Sequence, residues 1–301
     1  MKVLFYGHKG WICGMFIKMW ESIYPQDEII RGEYRLTFEN TEYVSQEISK
    51  VDRVVCMIGR TYGKGEDGKL INNIDYLEDH LQENLNDNLA MPLLLALLCK
   101  NQGVHLSYLG TGCIFSRNTW EDDYSYTEED RPDYFGSSYS VMKGATDNLI
   151  KQFPDVLNWR IRMPITNDRH SRNFISKILG YKKICNFPNS MTYLPDLLPI
   201  MVEMTRRRIV GTFNMVNDGL TSHCEILEHY REYQPEHKYE LITETQLDGL
   251  LKSKRSNNEL DTNKLKKLLQ EEKIGYTLRH IKECIKDAIK GMITTIETRT
   301  D

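Results

Sequence analysis

The first fourteen residues leave this chain little choice of fold. Val3-Leu4-Phe5-Tyr6 is a short, continuous apolar run, the pattern of a strand buried on both faces of a parallel sheet. It ends at Gly7-His8-Lys9-Gly10-Trp11-Ile12-Cys13-Gly14, and an apolar-periodic helix follows over 15–20. A strand, a glycine-rich turn and a helix start imply an α/β architecture. Glycines let the backbone approach a ligand closely, and free amides at a helix start attract an anion. The turn therefore reads as a dinucleotide-phosphate site.

Later segments repeat the alternation. Residues 28–30, 54–59, 104–109 and 158–161 read as strands, with a late strand at 213–216. A helix is expected over 85–100, with Pro92 kinking or breaking it, because proline removes a backbone donor. Another carries Tyr139 and runs until Pro154 stops it. Ser222-x-x-Glu225 is a capping box opening a helix over 223–233, and 276–295 reads as an amphipathic helix. The fold class expected is a Rossmann-type doubly wound parallel sheet with a smaller α/β substrate domain. The division falls at 1–160 and 161–301, with some chain returning to the first part. The polar loop 61–72 follows a strand, where ligand sites lie, and reads equally as a lid or a surface insertion. An acidic, aromatic loop is expected over 120–133.

Composition narrows the function. A chain of 301 residues with 40% hydrophobic and 27% charged content suits a soluble globular protein. A net charge of −4 gives no general attraction to nucleic acid or membrane. Seven cysteines without regular spacing, and no signal peptide or spanning apolar run, point to a reducing, cytoplasmic setting. No His/Cys/Asp cluster has metal-ligand spacing, so no metal is expected.

Tyr139 and Lys143 are four residues apart, which on a helix places both on one face. An ammonium nearby favours the phenolate, and a tyrosine so tuned passes a proton to a carbonyl oxygen. Alone, the pair also fits an ordinary surface helix. After the second strand come Arg31-Gly32-Glu33-Tyr34-Arg35. Arginines there suit a 2′-phosphate and favour NADPH, while Glu33 keeps NADH open.

Longer motifs carry a resemblance. They are Gly7-x-x-Gly10-Trp11-Ile12, Asn73-Ile74-Asp75, Thr111-Gly112-Cys113-Ile114-Phe115 and Tyr134-Phe135-Gly136-Ser137. They continue with Arg162-Met163-Pro164-Ile165, Arg172-Asn173-Phe174-Ile175-x-Lys177, Pro188-Asn189-Ser190-Met191-Thr192 and Arg255-Ser256-Asn257-Asn258-Glu259-Leu260-Asp261. Nearly end to end, the chain resembles an extended short-chain dehydrogenase/reductase of the dTDP-4-dehydrorhamnose reductase type. More closely, it resembles the bifunctional nucleotide-rhamnose synthases, or epimerase-reductases, of plants. Cys13 stands where the family's third glycine would be, the 61–72 loop is longer, and the last helix diverges.

The resemblance implies inversion of carbons 3 and 5 of UDP-4-dehydro-6-deoxy-D-glucose, then reduction of the 4-ketone with NADPH to UDP-L-rhamnose. It implies Cys113 and Lys177 as the epimerase pair, Tyr139 as proton donor to O4, Lys143 tuning Tyr139 and binding the nicotinamide ribose, and Thr111 bonding the substrate oxygen. Gly7, Gly10, Trp11, Ile12, Arg35, Gly59, Asn88 and Met163 would border the cofactor, although Asn88 equally suits a cap on local backbone. Asn173 and Arg255 would contact the nucleotide diphosphate. His223 is more simply the first residue of a capped helix. A homodimer and a separate upstream 4,6-dehydratase are further implications. A 4-reductase alone, or a non-catalytic NADPH-binding regulatory subunit, are the competing readings. UDP against dTDP stays open.

Overall fold

The computed structural model describes residues 1–116 and 124–297, with side chains to residue 294. The start of the acidic loop expected over 120–133 therefore lies outside the described residues. Six parallel strands form the central sheet: β1 (Lys2–Tyr6), β2 (Glu28–Arg31), β3 (Arg53–Cys56), β4 (His105–Thr111), β5 (Val156–Ile161) and β6 (Gly211–Asn214). Their spatial order is 2-1-3-4-5-6. The order reverses between β1 and β3, and in such sheets ligands gather beyond the strand carboxyl ends at that point.

Continuous apolar runs form these strands because both faces are covered. Phe5, Val55 and Trp159 point into one core with α1 (Trp11–Ile23) and α6 (Leu194–Arg206). Leu4, Val54 and Leu106 point into the other, with α2 (Thr41–Ile48) and α3 (Met91–Gln102). The last strand, β6, comes from well beyond residue 160, after α6 has crossed the sheet.

The break expected at Pro92 appears just ahead of it. A short helix, Leu81–Leu85, passes into a π-turn at Asn86–Ala90 before α3 begins. Proline cannot donate to the carbonyl four residues back. That carbonyl, of Asn88, accepts instead from the Thr146 hydroxyl at 2.6 Å. Thr146 lies on α4 (Ser138–Ile150), so the irregular turn is bound to the helix that carries Tyr139. Ser137 caps α4 by accepting from the Ser140 amide.

The underside of α4 is fixed to β5 by a buried pair: Arg160 donates to both carboxylate oxygens of Asp147, at 3.0 and 2.7 Å. A third core unites α5 (Phe174–Ile178), α7 (His223–Arg231) and α8 (Ile281–Glu297). The Ser222–Glu225 capping box forms as expected. Between them, residues 253–262 cross back over the end of β4, where Asn258 donates to the Gly112 and Phe115 carbonyls at 3.0 and 2.9 Å. No helix among the described residues is long and apolar enough to cross a membrane.

Candidate active site

A cleft of about 1430 Å³ lies at the carboxyl ends of the strands. The turn after β1 forms one wall. Gly7 has φ +85°, and a Cβ there would stand 2.5 Å from the Met57 carbonyl, so only glycine fits. Gly10 ends the turn, and α1 starts at once at Trp11, four residues earlier than the apolar periodicity indicates. No side chain caps its first turn, which leaves those amides available to an anion. Cys13 is buried on the inner face of α1 and fills the displaced glycine's place. Trp11 stacks on His170, with centroids 5.1 Å apart.

Arg35 and Arg60 both border this end of the cleft. Arg60 Nε bonds Asp87 at 2.7 Å and Arg35 reaches the same carboxylate at 3.4 Å. Asn88 accepts from the Arg60 amide at 3.0 Å and donates to the Arg60 carbonyl at 2.9 Å. It thus caps local backbone, one of its two expected uses, beside Gly59. Arg60 and Asp87 stand in no motif, and their relevance shows only in space.

Thr111, Cys113, Tyr139 and Lys143 line the cleft together. The Tyr139 phenol is bonded to Thr111, whose Oγ1 also accepts from the Cys113 amide at 3.1 Å. Burial and neighbouring Cys113 push the Tyr139 phenol above its ordinary range, and the bond to Thr111 offsets only part of this. Lys143 lines the cleft with Tyr139, and its ammonium is turned to partners on β4. Its ammonium bonds the Tyr108 hydroxyl and the Leu109 carbonyl and sits 4.5 Å from the Tyr108 ring centre. The reason is steric: α4 packs on β4, whose Tyr108 fills the space below the helix. Burial pushes Lys143 itself down to about 8. Met163, after β5, sits at φ +38°, a strained conformation for a side-chain-bearing residue, and borders the same space.

Lys177, in the last turn of α5, lines the same cleft. Burial, reinforced by Arg172 and Arg255, pushes its amine down to about 8. The 61–72 loop folds as a hairpin, pairing Gly63–Lys64 with Leu70–Ile71. Its flanks reach the far wall: Arg172 covers the Tyr62 ring and Asn72 donates to the Ser171 carbonyl at 3.0 Å. Arg255 lines the cleft and pairs with Asp75 at 2.9 Å. His223 lines it too, and burial pushes its imidazole down to about 4, so it is neutral at ordinary pH.

Asn173 departs from expectation. Its side chain is fully buried, caps α5 by accepting from the Ile175 amide, and donates to the Thr166 and Asp168 carbonyls at 2.9 and 2.7 Å. With every polar atom engaged, it is a structural cap outside the cleft lining rather than a ligand contact. Among the described residues no group of His, Cys, Asp or Glu is arranged to hold a metal ion.

No protein-family model matches the chain. It is 46% identical over 276 residues to uncharacterized protein L780 of Acanthamoeba polyphaga mimivirus, spanning 89% of this chain and 92% of that protein. The crystal structure of the L780 UDP-rhamnose synthase superposes with a TM-score of 0.87 at 43% identity, over 97% of this chain and 99% of that one. The bifunctional dTDP-4-dehydrorhamnose 3,5-epimerase/dTDP-4-dehydrorhamnose reductase of Arabidopsis thaliana is 37% identical over 268 residues, 87% of this chain and 86% of that protein. A dTDP-4-dehydrorhamnose reductase of Clostridium acetobutylicum shares the fold at 18% identity, with a TM-score of 0.73 over 96% of this chain and 99% of that one. Together with the cleft, these similarities place the chain in the 3,5-epimerase/4-reductase family of nucleotide-rhamnose synthesis, within the extended short-chain dehydrogenase/reductases.

Proposed function

We propose that the protein inverts carbons 3 and 5 of UDP-4-dehydro-6-deoxy-D-glucose and reduces its 4-ketone with NADPH, giving UDP-L-rhamnose. One observation carries the reading. Cys113, which follows β4, and Lys177, on α5, line a single cleft with Thr111, Tyr139 and Lys143. Inversion needs a base on one face of the sugar and an acid on the other, and these two residues supply that pair. Protons at carbons 3 and 5 are acidic because the enolate spreads charge onto O4. Thr111 and Tyr139 donate toward that oxygen. After inversion, Tyr139 gives its proton to O4 as the ketone is reduced.

The residues present fit a nicotinamide dinucleotide. Gly7 forms a cradle that a Cβ would fill, and α1 presents uncapped amides. When bound, the cofactor supplies the hydride. Arg35 and Arg60 beside that cradle favour the 2′-phosphate form. Arg255 suits the nucleotide diphosphate. UDP is preferred over dTDP because the L780 structure, at 43% identity, is of a UDP-rhamnose synthase. The substrate must be supplied by a nucleotide-sugar 4,6-dehydration.

The test is incubation with NADPH and the UDP-4-keto sugar in deuterated water. A rhamnose product with deuterium at carbons 3 and 5 is expected. A reduced, unlabelled 6-deoxyhexose that keeps the original configuration would leave a 4-reductase only. No turnover with either nucleotide would leave a cofactor-binding protein.

A further inference from the structure

Two arginines end β5, and the fold treats them differently. Arg160 is fully buried and has its own carboxylate, Asp147. Arg162, two residues on, is equally buried. Among the described residues it has no carboxylate within ion-pair reach. Its contacts are neutral oxygens: the Gly112 carbonyl at 3.2 Å, the Ser256 hydroxyl and carbonyl at 3.1 and 2.7 Å, and the Asn189 side-chain oxygen. Its Nε is buried without a partner. Placing a guanidinium in such surroundings without an anion is costly. One further group touches it: Cys113 Sγ lies 3.9 Å from Nη1.

Arg162 does not line the cleft, so a phosphate or carboxylate of a ligand has no path to it. Cys113 lines the cleft and is an ionisable group in direct contact with Arg162. Burial pushes the guanidinium down, and the groups acting against that are Cys113 and Tyr134. The other charged or titratable groups that sense Cys113 are Tyr134, and Tyr139 and Lys143 on α4. Tyr139 is kept protonated by burial, and the Lys143 ammonium is turned toward Tyr108.

We infer that Arg162 is the resident counter-charge of a Cys113 thiolate, a positioning residue that keeps this sulfur ionised and aimed at the carbons beside the ketone. The inference rests on the assignment of Cys113 as the epimerase base. In the step it serves, the thiolate takes the proton from carbon 3 or 5. The C–H electron pair moves into the enolate, whose charge settles on O4. Sulfur becomes a neutral thiol, and the Lys177 ammonium returns a proton from the opposite face. Before the second carbon is inverted, the thiol gives its proton to water and the Lys177 amine regains one from water, and Arg162, charged throughout, again balances the restored thiolate.

Alkylation by iodoacetamide at neutral pH, read by mass spectrometry on the peptide containing Cys113, tests the pair without any substrate. Arg162→Met is expected to slow alkylation of Cys113 by about tenfold or more, since an adjacent cation changes the thiolate fraction by at least that factor. Arg162→Lys, which restores a positive charge, is expected to recover most of the rate. Unchanged alkylation in a folded Arg162→Met protein overturns the inference. Should Arg162→Met fail to fold, the wild type decides. Its ultraviolet thiolate absorbance at neutral pH, measured against Cys113→Ser, must show a Cys113-dependent signal, and absence of that signal overturns the inference. Deuterium exchange at carbons 3 and 5 separates the two ideas. Slowed alkylation with undiminished exchange leaves the ion pair standing and removes Cys113 from its role as base.

Discussion

The Lys177 amine donates to the Asn72 backbone carbonyl at 3.1 Å, joining the end of the 61–72 hairpin to the wall that carries the second epimerase candidate. The hairpin thereby fixes the direction from which Lys177 enters the cleft. Burial and two arginines bring that amine down to about 8, so it is an ammonium below this pH and a neutral amine above it. As the proton donor, it should lose effect as pH rises through about 8. Lys177→Met should lower epimerisation by roughly 10²- to 10³-fold, the usual contribution of a placed acid or base. Deuterium uptake at carbons 3 and 5, followed by mass spectrometry across pH, checks both statements. A flat wild-type profile across that range would remove Lys177 from proton donation.

Tyr139 and Cys113 flank the same Thr111 hydroxyl, yet their proposed tasks are separable. Tyr139→Phe keeps the ring and deletes the proton donated to O4. Reduction should fall by roughly 10²- to 10⁴-fold while exchange at carbons 3 and 5 continues. Conversely, Cys113→Ala should bind NADPH and give no rhamnose sugar. Normal UDP-L-rhamnose output from that variant would refute the assignment of Cys113.

Lys143 offers a stability test with a definite sign. Its folded value of about 8 lies below the ordinary 10.5, so folding disfavours its protonated form. The resulting penalty is fully present below about 8 and disappears as pH rises toward 10.5. Wild type minus Lys143→Met should therefore show a gain of roughly 1–3 kcal/mol for wild type over that interval. Urea unfolding midpoints at the two ends of the range measure it. Other titrating groups are common to both proteins and cancel in the difference.

Arg35 is largely exposed and touches Asp87 loosely, at 3.4 Å, so its charge is free to meet a ligand. Arg35→Ala should raise the KM for NADPH by about tenfold and leave that for NADH nearly unchanged, as expected for one lost charge-assisted contact. Equal changes for both cofactors would assign Arg35 to the fold instead.

Much of the molecule was legible before any coordinates. The apolar runs at 3–6 and 54–56 became interior strands because nothing but a doubly covered parallel sheet buries both faces of such a segment. Ser222 and Glu225 formed their capping box because that motif needs only four consecutive residues. Pro92 disturbed its helix, although periodicity gave no sign that the disturbance would be a π-turn held by Thr146.

Local chemistry in the sequence determined the strands, the phosphate turn at Gly7 and the single face shared by Tyr139 and Lys143. These depend on steric and hydrogen-bonding rules within a few residues. Tertiary structure alone decided that Lys143 would serve Tyr108 and that Arg162 would lie buried against Cys113. These two outcomes follow from which segments meet across separations of 35 and 49 residues in a crowded core, where packing and desolvation outweigh spacing along the chain.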